Sequence, residues 1–239
     1  MDASNYTGRD NLEVMREARK YNRFLFRLLC SVGFQDGVVV DFGAGNGVFA
    51  KEMSAAGYQV TCVESDYVLF DEIQKLGLRV VSNIDFLEDK SVEYIYSLNV
   101  LEHIDDDFSV VQCWFEKLRP GGSVLVYVPA FRWLMTSMDY KVGHFRRYTA
   151  AALCDMFEEA GFLVEKGRYV DSLGVLATLF YKIFDSGRGE IDVRMLKLYD
   201  RCLFPVSRLF DFLFSKFFGK NIFLIARKPS DDDMGARIR

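Results

Sequence analysis

The stretch Asp41-Phe42-Gly43-Ala44-Gly45-Asn46-Gly47 decides the fold. Before it stands Val38-Val39-Val40, a β-branched run that predicts a strand, and after it residues 48–56 carry helical spacing that Gly57 stops. A glycine-rich loop between a strand and a helix lets a ligand approach the backbone, because glycine accepts positive φ and presents no Cβ. The following helix directs its free N–H groups at the same place and favours a carboxylate or phosphate there. The dinucleotide fingerprint G-x-G-x-x-G does not fit, since its last glycine, counted from Gly43, falls on Val48.

Strand and helix patterns alternate outward from this loop. Residues 59–63 predict a second strand, 66–75 a helix, 79–81 a short strand and 93–98 a fourth. Asp105, Asp106 and Asp107 can cap a helix bearing Phe108, Val111, Phe115 and Leu118, which Pro120-Gly121-Gly122 ends before a strand at 123–128. Thr149 is the expected N-cap of a helix through Ala160, with Gly161 as its stop. Residues 162–169 and 222–227 give two late strands, separated by about 50 residues, longer than an ordinary connection. Alternating strands and helices imply an α/β fold: a doubly wound, mostly parallel seven-stranded sheet, Rossmann-like, with helices on both faces. Leu12, Met15, Phe24, Leu25, Leu28 and Leu29 predict a leading amphipathic helix over 12–30.

The expected organisation is a single domain over 1–230, with a helical cap at 1–34, a cofactor-binding core at 35–130 and an acceptor-side region at 131–220. That last region contains a helical insertion at 173–220, and a polar tail at 231–239 is expected to be disordered. With 239 residues, 50% of them hydrophobic, the chain can bury a sizeable core. A net charge of −4 gives no general attraction for polyphosphate, so nucleic acid is not an expected partner. The five cysteines lie far apart without a C-x-x-C pair, which predicts neither a metal site nor a disulfide framework and favours a reducing, cytoplasmic location. The N-terminal stretch lacks the apolar core of a secretory signal, and no apolar run reaches the roughly 20 residues of a membrane span.

What remains of the loop is D-x-G-x-G-x-G, and with it the chain resembles the class I S-adenosylmethionine-dependent methyltransferases. Three further features carry the resemblance: Glu64 after the second strand, Leu101-Glu102-His103-Ile104 after the fourth, and Pro120-Gly121-Gly122 before the fifth. Together they cover roughly residues 35–130. The resemblance implies that S-adenosylmethionine is the cofactor and S-adenosylhomocysteine the product. It implies that Asp41, Gly43, Ala44, Gly45 and Gly47 surround the amino-acid end of that cofactor, with Asp41 stabilising its ammonium. Glu64, 23 residues after Asp41, is implied to accept from the ribose hydroxyls, while Asp66 reads better as a helix cap. Asn99 and the LEHI segment are implied to border the sulfur. No clear acid follows the third strand to hold the adenine amine, which leaves backbone groups of Asn83 and Ile84, or Asp85, for that task.

Methyl transfer from a sulfonium is an in-line displacement, so the main task is to hold the acceptor at attack distance. An acceptor of high pKa also needs a base, and the chain has two histidines. His144, in Gly143-His144-Phe145-Arg146-Arg147-Tyr148 on the acceptor side, is taken as that base ahead of His103, whose alternative role is to shape the pocket wall. The GHFRRY segment is similar to one in a subgroup of bacterial methyltransferases. Arg146 and Arg147, with Tyr148 and Asp139, either bind an anionic acceptor or pair with acids such as Asp139 to fasten a lid.

Residues 173–184 and 203–218 are strongly apolar and aromatic, and Arg208, Asp211 and Ser215 form a narrow polar strip on the second. Three fates are open for this surface: a roof over the site, a homodimer interface, or peripheral contact with the inner face of a membrane through 173–218. The acceptor is accordingly a small molecule or a lipid-linked one. Two alternatives stand beside methyl transfer, an NAD-dependent oxidoreductase or epimerase with a deviant loop and a non-catalytic cofactor-binding protein.

Overall fold

The computed structural model describes residues 8–32, 37–184, 187, 189 and 192–236. The expected domain boundary at residue 34 lies outside the described residues. Among the described residues seven strands form: β1 (Val38–Phe42), β2 (Gln59–Val63), β3 (Arg79–Val81), β4 (Val92–Leu98), β5 (Leu118–Pro129), β6 (Leu163–Val170) and β7 (Asn221–Arg227). Their order is β3-β2-β1-β4-β5-β7-β6, and β7 alone runs antiparallel to its neighbours. This is the doubly wound, Rossmann-like sheet expected. Strand order reverses between β1 and β4, and the crevice beyond their carboxyl ends is where such sheets bind ligands.

The helices are α1 (Arg9–Met15), α2 (Arg19–Leu29), α3 (Val48–Ala55), α4 (Tyr67–Lys75), α5 (Asp107–Lys117), α6 (Ser137–Val142), α7 (Ala150–Glu159), α8 (Ser172–Phe184), α9 (Val193–Leu198), α10 (Phe204–Phe214) and α11 (Asp231–Ala236). Alternate strand residues feed two cores. Val39, Tyr94, Tyr96, Leu125 and Tyr127 pack on one face with Leu25 and Leu29 of α2 and Met53 of α3. Val40, Ile95, Val124 and Val126 pack on the other with Trp114 of α5 and Phe157 of α7. Each such side chain contributes roughly 1.5–3 kcal/mol of burial.

Three local expectations need correction. The leading helix expected over 12–30 is two helices, broken at Ala18, whose ψ of 67° leaves the helical region. Ala18 cannot cap α2, and Asp200, from a π-helical turn at Tyr199–Leu203, does so instead by accepting from the amides of Lys20 and Tyr21 at 3.0 and 2.8 Å. The helix α5 stops at Lys117, before Pro120-Gly121-Gly122, which lies within β5 as an irregularity: Val92 pairs with Leu118 and Tyr94 with Ser123. Gly122 has no room for a side chain there, since a Cβ would lie 2.9 Å from the carbonyl oxygen of Arg119. The tail, expected to be disordered, forms α11, where Asp233 accepts from Ser230 and from the Arg227 guanidinium; residues 237–239 lie outside the described residues.

The insertion packs the opposite way round from a simple amphipathic reading. On α10 the polar strip faces the protein, with Ser207 and Asp211 buried, while Leu209, Phe212 and Leu213 are 74%, 88% and 65% exposed. Asp211 is inside because it accepts from the amides of Asp171 and Ser172 and so caps the first turn of α8. Among the described residues no helix is long and apolar enough to cross a membrane.

Candidate active site

The loop after β1 turns through three left-handed glycines, with φ of +75° at Gly43, +56° at Gly45 and +71° at Gly47. Any other residue at these three positions is strained. Gly43 also lies against Val100, whose Cγ1 would be 2.9 Å from an added Cβ. Gly47 is the N-cap of α3, so the helix begins where the loop ends.

Glu64, at the end of β2, is buried and ties the loop to the next segment: one carboxylate oxygen accepts from the Gly45 amide at 2.8 Å, the other from the Asp66 amide at 2.9 Å. Burial pushes its carboxyl up from the ordinary carboxylate range. A carboxylate has about four acceptor positions, so capacity remains for ribose hydroxyls. Asp66 caps α4 through the amides of Val68 and Leu69 and pairs with Arg9 of α1. That ion pair holds α1 across the loop, with Leu12 3.5 Å from where a Gly45 Cβ would stand. The space left there, a cavity of about 90 Å³ lined by Arg9, Leu12, Asn46, Leu69 and Glu72, is smaller than the roughly 300–1,000 Å³ of small-molecule sites. Glu64→Ala is expected to weaken S-adenosylhomocysteine binding by roughly 1–3 kcal/mol in calorimetric titration, the cost of losing charged hydrogen bonds. An affinity within a factor of about two of the parent would remove Glu64 from the site.

Asp41 is buried at the end of β1. Burial, reinforced by the neighbouring Glu64 charge, pushes its carboxyl from 3.8 to about 7. The folded state thus binds this proton more tightly than the unfolded chain does. The stability it contributes is complete below pH 4 and is lost as pH rises through about 7. Asp41→Asn is therefore expected to raise the melting temperature at pH 8 relative to the parent, by at most about 4 kcal/mol of stability, with the gap closing toward pH 4. Parallel melting profiles from pH 4 to pH 8 would contradict it.

Asn99, exposed at the end of β4, holds a left-handed φ of +56° and donates its amide to Tyr127 at 2.7 Å. Asn83 and Ile84 follow β3 in a 3-10 turn, where the Asn83 side chain is occupied by Asp85. Loop glycines, Glu64, Asn83 and Asn99 thus all stand at the carboxyl end of the sheet around the switch point.

The acceptor-side residues are assembled by one carboxylate. Asp139, with no exposed surface, accepts from Arg147 Nε at 2.8 Å and Nη2 at 2.9 Å, from the Thr136 amide and hydroxyl at 2.8 and 2.9 Å, and from His144 Nδ1 at 2.7 Å. Burial acts to raise its carboxyl, but the hydrogen bonds from His144 and Arg147 outweigh it and hold the group well below the ordinary range. With an ionised acceptor at Nδ1, His144 keeps its proton there and leaves Nε2 as the basic nitrogen. That nitrogen stands 3.8 Å from Glu102 Oε1, and the His103 ring lies edge-on to His144 at 4.4 Å between centroids. Burial pushes Glu102 up to about 8, and burial beside the His144 ring pushes His103 down to about 4. Arg146 is bound to Asp107 at 2.8 Å, and Tyr148 donates to the other oxygen of Asp107 at 2.6 Å. Both guanidinium groups thus have internal carboxylate partners, and Arg146, its side chain 32% exposed, keeps an edge toward solvent. In the sequence Glu102 stands only as part of the LEHI segment implied to border the sulfur, with no role of its own; an acid flanked by Leu101 and His103 at a strand end was the available signal.

Comparison with known proteins agrees with this geometry. A family model described as a methyltransferase domain matches residues 14–166. A probable S-adenosylmethionine-dependent methyltransferase of Mycolicibacterium smegmatis is 34% identical over 45% of this chain and 38% of its own length. A ubiquinone biosynthesis O-methyltransferase of Aromatoleum aromaticum is 30% identical over 36% of this chain and 41% of its own length. The match thus spans about two fifths of the length of these curated relatives. Among solved structures, a SAM-dependent methyltransferase of Thermotoga maritima superposes with a TM-score of 0.61 at 16% identity, covering 92% of this chain and 94% of the other. With the fold, the alternate-glycine loop and a family match over more than half of its residues in agreement, the chain belongs to the methyltransferase-domain family.

Proposed function

We propose that the protein transfers the methyl group of S-adenosylmethionine to an oxygen or nitrogen of a small-molecule acceptor. The observation that carries this reading is the link from Glu64 to the Gly45 amide, which joins a ribose-side acid to an amino-acid-side loop at the switch point of the sheet. The family match does not favour the NAD-dependent alternative. In this reading Asp41 and the loop glycines hold the amino-acid end, Glu64 the ribose, and Asn83 and Ile84 the adenine. His144, oriented by Asp139, takes the acceptor proton, with His103 as its neighbour. Arg147 and Tyr148 act as fasteners of the acceptor-side segment, and the solvent edge of Arg146 meets an anionic group on the acceptor.

The acceptor is read as carrying a lipid or other apolar part. Supporting this, α8 follows β6 and the segment 131–148 follows β5 at the same end of the sheet, and Lys182 of α8 donates to the Trp133 carbonyl. The exposed face includes Leu176, Phe180, Phe212 and Phe217, with Lys216 beside it. Such a face suits the headgroup boundary of an anionic membrane. Incubation with methyl-labelled S-adenosylmethionine and separate aqueous and lipid extracts tests the assignment. Label in a lipid fraction supports it, label in a water-soluble compound restricts it to methyl transfer alone, and no label with cofactor bound points to a binding protein. Titration with NAD and S-adenosylhomocysteine is expected to show heat for the second alone.

A further inference from the structure

Glu102 and His103 are adjacent in the 3-10 turn Leu101–His103 that follows β4, and His144 follows Gly143, the left-handed residue that ends α6. The two segments are joined through the backbone, where the Phe145 amide donates to the Glu102 carbonyl at 2.8 Å. As a result one oxygen of Glu102 and one nitrogen from each of His103 and His144 lie within 4.8 Å of one another. Glu102 has no exposed surface, and neither of its carboxylate oxygens has a hydrogen-bond partner. A buried carboxyl without a hydrogen-bond partner calls for a companion, and a proton or a cation supplies one.

The geometry points to a binding site for one divalent transition cation held by Glu102, His103 and His144. Two imidazole nitrogens and one carboxylate oxygen, with a fourth position open to water or substrate, are the donor set of catalytic zinc sites. Imidazole ligands favour zinc, cobalt or iron(II) over magnesium and calcium, which take oxygen. Asp139 completes the arrangement, because a carboxylate on the far nitrogen of a ligating imidazole fixes its tautomer and its orientation. Tetrahedral zinc with bonds of 2.0–2.1 Å sets its ligand atoms about 3.3 Å apart, against the 4.8 Å within which they lie here. The His144 side chain, 11% exposed, gives an entry path. No metal was expected from the sequence, because the ligands come from segments about 40 residues apart without a recognised spacing. With the cation bound, Nε2 of His144 is a ligand and proton acceptance by that nitrogen is lost.

The full chain, stripped with EDTA, is titrated with Co²⁺ and followed by its visible absorption, and with Zn²⁺ by calorimetry. One equivalent is expected to bind, with tetrahedral d–d bands and no near-ultraviolet thiolate-to-cobalt band. H103A and H144A are each expected to weaken binding by at least about 100-fold, and D139N, acting through His144, by about 10–100-fold. Folding is checked by circular dichroism, and E102Q, which keeps the shape of Glu102, serves where an alanine variant does not fold and is expected to lose binding comparably. Octahedral or thiolate spectra, or unchanged affinity in H103A and E102Q, would overturn the site. S-adenosylhomocysteine titrated into the same samples reports on the methyl-transfer reading separately, since its binding does not need the cation.

Discussion

Replacing Asp139 by alanine is expected to destabilise the protein by about 3–5 kcal/mol, the cost of leaving one member of a buried ion pair without its partner. The Arg147 side chain is 3% exposed, and once Asp139 is gone the Ala130 carbonyl, at 3.3 Å from Nη1, is the one acceptor left to it in the described structure. The Thr136 amide, at the start of α6, loses its cap in the same substitution. The net worth of the pair against an apolar replacement is a different quantity, because both charges were desolvated to form it. That distinction gives the control. Asp139→Asn keeps the shape and one acceptor oxygen but removes the charge, and should fall between parent and alanine. Urea unfolding of the three proteins measures this directly, and a loss below about 1 kcal/mol for the alanine variant would mean that Arg147 reaches water and that Asp139 is no hub.

Why the loop was fully readable, while the hub was legible only as one of two readings of Asp139 and Arg147, follows from where each finds its partners. Gly43, Gly45 and Gly47 are needed for local reasons, a left-handed φ at each, so the requirement is written into seven consecutive residues. The strands likewise declare themselves by β-branched runs, and Asp66 and Thr149 by their positions as caps. Glu102 takes its meaning from His144, which a segment about 40 residues away supplies, whereas the partners of Asp139 stand 5 and 8 residues on but carry no recognised spacing. The division of the leading helix has the same origin, since the cap of α2 comes from Asp200, 180 residues away. Periodicity on α10 reveals a polar strip and an apolar face but not which of them the fold turns inward. Asp211 decides that by capping α8, a contact between elements 39 residues apart that spacing alone does not encode.

His144→Ala is expected to lower turnover by about 10²–10⁴-fold while leaving the dissociation constant of S-adenosylhomocysteine unchanged, the range for removing a positioned base. Asp139 accepts from Nδ1 at 2.7 Å, so the ring is fixed in one tautomer, and the side chain, 11% exposed, stands next to His103. Substitution removes this nitrogen without touching the glycine loop or Glu64, which stand on β1 and β2, so chemistry and cofactor binding should separate. The assay is run in cation-depleted buffer, where Nε2 carries no ligand. His103→Ala, lacking the carboxylate that orients His144, is expected to cost less. Arg146→Ala should act differently again: loss of its solvent-facing edge removes binding present in ground and transition states alike, raising the acceptor KM with kcat retained. Single-turnover kinetics with a labelled methyl group distinguish these patterns. Turnover of His144→Ala within a factor of about five of the parent would assign catalysis to positioning alone, a sufficient source of rate when the acceptor is already a good nucleophile.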